Sequence, residues 1–153
     1  MDKNLFANVD DIVRSLYSGD VDQLFSKSHR YGVKIWIGTP EPPKVHYEAQ
    51  VLGRHHVDGE EGLAVEIGLH CEHRDEAENE SILNSLLERS KKWEPVLGEE
   101  ASAGVFYGAE NWRRLSDVWI EPDLSVDDID VEIASRMTDY IETLQPLLPE
   151  DPT

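Results

Sequence analysis

Histidine and glutamate recur at alternate positions in two segments of the sequence. These alternating polar residues are His46, Glu48 and Gln50 in one segment and Glu66, His70 and Glu72 in the other. In an extended strand, residues two apart point to the same face, so each group lies on one side of its strand. Neutral imidazoles and carboxylates at cross-strand distance can ligate a transition metal or carry out acid–base chemistry.

We predict that the two groups, joined by Trp36 from the preceding strand, form one polar patch on a sheet face. The favoured interpretation is a solvated face, because antiparallel sheets commonly leave one face in water. A surface that binds a ligand or a partner, and a metal or catalytic site, are the alternatives. We therefore treat the patch as a candidate binding face and assign no catalytic residue, no metal ligand and no cofactor from the sequence.

The run from His70 to His73 contains three types of zinc ligand in a row, His, Cys and Glu. On a strand, however, neighbouring side chains point to opposite faces, so this run does not close on one ion. Cys71 is the only cysteine and forms no internal disulfide, so we predict a small buried side chain.

Trp112, Arg113 and Arg114 form a compact basic group in an acidic sequence. The favoured interpretation is that one arginine pairs with a nearby carboxylate. The alternative is an anchor for a protein partner, because Trp and Arg are enriched at interface hot spots. We include all three residues in the candidate binding set.

The elements that must position these residues follow from periodicity. Apolar residues at helical spacing predict a first helix over 5–17 and a short second turn, capped by Asp20, through Val21, Leu24 and Phe25. The later elements are strands at 33–37, 45–52 and 63–73, a helix from Asp75 to Pro95, strands at 104–108 and 112–120, and a helix from Ser125 to Pro146. The order α-β-β-β-α-β-β-α predicts an α+β fold, with an antiparallel sheet of about five strands and the helices packed on one face.

Length and charge limit the possible partners. The 153 residues predict a single domain over 1–153 with a loose tail from about residue 149. A net charge of −18, from 14 Lys+Arg and 32 Asp+Glu, disfavours direct binding to nucleic acids and to anionic membranes. The sequence shows neither a secretory signal nor a long apolar run, and its single cysteine fits a reduced compartment, so we expect a cytoplasmic protein.

One segment carries a family resemblance. Its residues are Leu63 to Ile67, Glu78-Asn79, Leu83, Leu86-Leu87, Leu97-Gly98 and Trp112 to Leu115. Over about residues 63–148 this pattern resembles an uncharacterised small α+β domain that in other proteins accompanies restriction-endonuclease-like modules. The resemblance implies a fold and a setting in DNA defence or processing, with no catalytic motif of its own. In element order alone, the chain is also similar to the secretion-chaperone-like fold.

No catalytic signature is present, so the leading expectation is a non-catalytic protein–protein interaction module of the adaptor, chaperone or immunity-inhibitor type. Its partner would be a protein, and a basic one would be attracted by the strong negative charge. A homodimer is compatible with this expectation. The alternatives are a DNA mimic or DNA-defence accessory protein, and a metal-dependent or acid–base enzyme that uses His46, Glu48, Glu66 and His70.

Overall fold

The fold is built on one antiparallel sheet. A computed structural model describes residues 1–149. The strands are β1 (Leu24–His29), β2 (Gly32–Ile37), β3 (Val45–Gly53), β4 (Leu63–Cys71), β5 (Ser102–Phe106) and β6 (Ala109–Ile120), and their order across the sheet is β1-β2-β3-β4-β6-β5. The helices are α1 (Leu5–Leu16), α2 (Glu76–Glu88), α3 (Ser90–Leu97) and α4 (Ile129–Leu144). The predicted α+β class and antiparallel sheet are confirmed. The predicted loose tail lies, except for Pro149, outside the described residues.

The predicted number of about five strands is wrong by one. The segment from Leu24 to His29, whose first residues we assigned to a short turn, is an edge strand that pairs with β2. Only Leu24 in this strand is buried, and its later residues are exposed and polar. A strand of this kind lacks the alternation of apolar and polar residues by which a half-buried strand is predicted.

The predicted helix from Asp75 to Pro95 is two helices. Asp75 caps the first, since its side chain accepts a hydrogen bond from the backbone N–H of Ala77 at 3.0 Å. The helical path is interrupted at Arg89, whose backbone leaves regular helical geometry. Trp93 in the second helix then donates its indole N–H to the Leu86 carbonyl at 2.7 Å, so both helices are tied to the same core.

One face of the sheet and all four helices enclose the hydrophobic core. The alternation predicted for the central strands is confirmed. The core residues of these strands are Val33, Ile35, Tyr47, Ala49, Val65, Ile67, Leu69 and Cys71. Burial raises the pKa of the Cys71 thiol to about 12, so at neutral pH it packs as an apolar side chain. None of the helices within residues 1–149 has both the length and the apolar character needed to cross a membrane.

A buried ion pair joins the last strand to the last helix on this core side. The Asp117 carboxylate accepts hydrogen bonds from Arg136, at 2.7 and 2.9 Å, and from the Tyr140 hydroxyl at 2.6 Å. Arg136 also donates to the Leu97 carbonyl at the end of α3. These contacts satisfy a charge that is otherwise fully buried, and they hold β6, α3 and α4 together.

Candidate metal centre

The central feature of the other sheet face is a His-x-Glu pattern that occurs on β3 and again at the end of β4. His46 and Glu48 lie on β3, His70 lies on β4, and Glu72 directly follows the last residue of β4. The strands pair so that His46 is directly opposite His70. Because the pairing is antiparallel, the two glutamates flank the histidine pair from opposite ends, and their side chains converge on it.

Four donor atoms lie close together here, one from each of His46, Glu48, His70 and Glu72, and we refer to these four residues as the cluster. His46 Nε2 lies 3.1 Å from Glu48 Oε1 and 3.1 Å from Glu72 Oε2. His70 Nδ1 lies 3.7 Å from Glu48 Oε1 and 3.4 Å from Glu72 Oε2. A tetrahedral ion with bonds of about 2.0–2.2 Å to nitrogen and oxygen would hold its donors roughly 3.3–3.6 Å apart. The four nitrogen–oxygen distances, 3.1–3.7 Å, lie within a few tenths of an ångström of this range, and all four atoms lie within 4.8 Å of one another.

The four side chains differ in their access to water. The imidazoles form a buried floor, with His46 2% exposed and His70 fully buried. The carboxylates stand at the rim, with 16% of the Glu48 side chain and 13% of the Glu72 side chain exposed. The expectation of a solvated face is therefore wrong at the centre of this face, although the predicted side of the sheet is confirmed.

The far nitrogen of each imidazole is held by a separate acceptor. His46 Nδ1 lies 2.9 Å from the Pro43 carbonyl oxygen. His70 Nε2 lies 2.9 Å from each oxygen of the Glu66 carboxylate. Metal-binding histidines characteristically donate their second N–H to a carbonyl or a carboxylate, which orients the ring. Both histidines of this cluster have that arrangement.

Glu66 is itself fixed from two further sides. Its carboxylate accepts hydrogen bonds from Gln50 Nε2 and from the Ser116 hydroxyl, each at 2.8 Å. Arg114 in turn donates to the Ser116 hydroxyl oxygen at 2.7 Å. The Ser116 hydroxyl thus links the Arg114 guanidinium to the fully buried Glu66 carboxylate.

Gly68 lies between Glu66 and His70 in β4, at a point of close approach to β6. A Cβ atom there would collide with the Leu115 carbonyl oxygen and with the backbone of Ser116 on β6. The absence of a side chain therefore lets β4 and β6 approach closely beside Glu66 and His70.

Aromatic rings close the side of the cluster next to β5. Phe106 packs edge-to-face against His70, with ring centroids 4.6 Å apart, and Trp112 packs against Phe106 at 5.5 Å. Tyr107 lies under the Arg114 guanidinium and accepts a hydrogen bond from it at 2.5 Å. These contacts shield His70 and the buried carboxylate behind it from water.

The imidazoles and carboxylates shift one another's pKa values. Burial lowers the pKa of His70, but Glu66, Glu48 and Glu72 outweigh it and hold this pKa well above its usual value. Burial also lowers the pKa of His46, and Glu48 and Glu72 again raise it overall. Burial raises the pKa of Glu72, but His46 and His70 outweigh it and lower this pKa to about 2. A cation that binds here must therefore displace protons from the same nitrogen atoms.

Six of the ten sequence-predicted binding residues contact one another: the four cluster residues, together with Glu66 and Gln50. The other four lie outside this group. Trp36 stacks against Phe25 and donates its indole N–H to the Thr39 carbonyl at 2.6 Å, so its described contacts lie apart from the cluster. Trp112 packs against Phe106, which covers His70, and Arg114 lies opposite His70 on β6 and donates to Ser116.

Arg113 and Arg114 lie on opposite faces of β6. Arg113 pairs with Glu76 of α2 at 2.6 Å, as the favoured interpretation expected. Arg114 points to the face that carries the cluster. The predicted compact basic group is therefore divided, because successive residues of a strand alternate between faces.

Among the supporting residues that the sequence prediction lacked are Pro43, Phe106 and Ser116. Ser116 and Arg114 share a face by simple alternation, and this signal could have been used. Their approach to Glu66 depends on the pairing of β4 with β6, which are separated by two helices and a strand.

The sequence predicted that the side chains from His70 to His73 do not converge on one ion, and the structure confirms this. Cys71 points into the core, and His73 Nε2 lies 3.6 Å from Glu78 of α2. His55 and His56 are exposed in a short turn, with ring centroids 3.9 Å apart. Among the described residues, the His46, Glu48, His70 and Glu72 set is the one group whose donor atoms converge.

No known protein family, curated protein or solved structure gives a significant match to this chain. The resemblance of residues 63–148 to a domain that accompanies nuclease-like modules therefore stays a prediction.

Proposed function

We propose that the protein binds one divalent transition-metal ion through His46, Glu48, His70 and Glu72. The observation that carries this proposal is the convergence of four donor atoms to within 4.8 Å of one another, with nitrogen–oxygen distances of 3.1–3.7 Å. A second observation supports it: the buried His70 Nδ1 makes no hydrogen bond within the part of the chain that the structure describes. A buried nitrogen of this kind calls for a proton or a metal ion.

The donor set indicates the class of ion. Imidazole nitrogens favour zinc, iron, nickel and copper, whereas a site for calcium or magnesium is built from oxygen alone. The two carboxylates at the rim supply two negative charges, which a divalent ion neutralises. Four protein ligands with two outer-sphere acceptors are typical of a zinc site, and zinc is the ion we propose to test first.

The test is a titration of chelator-treated protein with Zn²⁺, followed by calorimetry and by metal analysis after gel filtration. We expect one ion per chain. Glu72→Gln keeps the size of a partly exposed side chain and should weaken binding strongly, as should His46→Ala. The matched control is a His55→Ala, His56→Ala double variant, which removes two histidines away from the cluster and should leave one ion bound.

Substitution with Co²⁺ gives an independent measure of geometry, because tetrahedral cobalt absorbs strongly in the visible region. Wild-type protein that binds no zinc, or that binds it equally well without His46, would refute the proposal. The predicted interaction module, the possible homodimer and the DNA-mimic alternative stay predictions, since neither the described residues nor the comparisons test them.

A further inference from the structure

Glu66 occupies an unusual position, because it is a fully buried carboxylate that faces a buried imidazole. Both of its oxygen atoms lie 2.9 Å from His70 Nε2, and neither histidine nor carboxylate is accessible to water. A buried pair of charged groups is a weak source of net stability, because desolvation offsets most of the attraction. Its position behind a proposed metal ligand suggests a second purpose.

Hydrogen bonding determines which nitrogen of His70 is available to bind a metal ion. An ionised carboxylate only accepts hydrogen bonds, so the nitrogen that faces Glu66 must carry the hydrogen. In a neutral imidazole, Nδ1 then holds the lone pair, and Nδ1 is the atom that faces Glu48 and Glu72. At His46 the Pro43 carbonyl imposes the opposite arrangement, since it accepts from Nδ1 and leaves Nε2 for the cluster.

From this geometry we infer that Glu66 is the positioning residue of the metal site, which fixes His70 as an Nδ1 ligand and sets the affinity for the ion. This inference rests on the proposed function. Gln50 and Ser116 hold the carboxylate in place independently of any ion, and Arg114 holds Ser116. The site is therefore preorganised, with His46 bound through Nε2 and His70 bound through Nδ1.

The test compares Glu66→Gln with Asp117→Asn. Both variants replace a fully buried carboxylate with an amide of similar size, but Asp117 points to the core side and bonds Arg136 and Tyr140. Zn²⁺ affinity is measured by competition with a chromophoric chelator. We expect Glu66→Gln to lose about 10- to 100-fold in affinity. Asp117→Asn should unfold at lower urea concentration and keep the wild-type affinity.

A spectroscopic measurement separates positioning from a general loss of stability. Long-range ¹H–¹⁵N correlation spectra of the zinc-loaded protein report which nitrogen of each histidine binds the metal. We expect Nε2 of His46 and Nδ1 of His70 in the wild type, and loss of the Nδ1 pattern at His70 in Glu66→Gln. If that variant does not fold, Ser116→Ala, which removes one hydrogen bond to the carboxylate, should show a smaller loss of affinity.

The possible outcomes distinguish the inference from the proposed function. Wild-type protein that binds no zinc would refute the metal site itself. Wild-type protein that binds zinc through Nε2 of His70, or a Glu66→Gln variant with unchanged affinity and unchanged His70 coordination, would overturn the role of Glu66 and leave the metal site intact.

Discussion

Removal of His70 should destabilise the metal-free protein far more than removal of His46. His70 is the partner of Glu66, which has no exposed surface, so His70→Ala leaves a carboxylate buried without its main counter-charge. His46 faces Glu48 and Glu72, whose side chains reach water. In His46→Ala these carboxylates can be hydrated, and Lys34 remains 3.5 Å from Glu48.

The magnitudes follow from this difference in burial. Breaking a buried pair by removing one partner costs about 3–5 kcal/mol. Loss of a hydrogen-bonded partner from groups that water can reach costs roughly 0.5–1.5 kcal/mol, because water replaces the partner. For a chain of this length, each kcal/mol lost from the free energy of unfolding lowers Tm by about 2–4 °C. His70→Ala should therefore lower Tm by roughly 6–20 °C.

The assay is urea unfolding at neutral pH with a chelator present, so that metal binding does not contribute. A double-mutant cycle provides the sharper test. In the His70→Ala background, Glu66→Gln removes the unpaired charge and should restore part of the lost stability, whereas in the wild-type background the same change should destabilise. Equal losses for His70→Ala and His46→Ala, together with additive effects in the cycle, would show that Glu66 bears no uncompensated charge and would refute this reasoning.

Three further predictions concern the strand contact, the core ion pair and pH. Gly68→Ala should cost about 1–3 kcal/mol in urea unfolding, since its Cβ would meet the backbone of β6, and a loss below this range would contradict the close strand contact. Tyr140→Phe removes the hydroxyl that donates to Asp117 and should cost about 1–2 kcal/mol with unchanged zinc affinity by calorimetry; a change in that affinity would argue against independence of the two sites. The rise in Tm caused by zinc should grow as the pH is raised from about 6.5 through the raised pKa values of His46 and His70. Both cluster imidazoles have raised pKa values in the folded chain, so their protonated forms stabilise the metal-free fold below about pH 6.5, and that contribution is lost as the pH rises through the folded pKa values. A zinc effect on thermal melting that is constant across this range would contradict competition between metal and protons.

Much of the site is already visible in local sequence patterns. The alternation along β3 and β4 placed the histidines and glutamates on the side of the sheet away from the core, and the structure confirms this. The same alternation separated Cys71 from His70 and correctly predicted that the run from His70 to His73 does not converge. These inferences depend only on the two-residue period of a strand, which is a local property of the backbone.

The missed elements have local causes as well. The edge strand β1 buries only Leu24, so its sequence lacks the apolar alternation of a central strand. The division between α2 and α3 at Arg89 leaves the apolar spacing nearly continuous, because Trp93 of α3 is buried beside Leu86 of α2. Periodicity reports which face is apolar, and it is insensitive to a break that preserves that face.

The amino-acid sequence by itself determined the α+β class, the faces of the central strands and the strong negative charge. Tertiary structure alone decided that β6 lies beside β4, which brings Ser116 to Glu66, and that Phe106 covers His70. It also decided that the sheet face with the His/Glu pattern is buried at its centre. In addition, it decided which nitrogen of each histidine points toward Glu48 and Glu72. The physical reason is that the pairing of β4 with β6 joins residues about 50 positions apart, and the packing of the whole sheet and its helices, not local periodicity, selects that register.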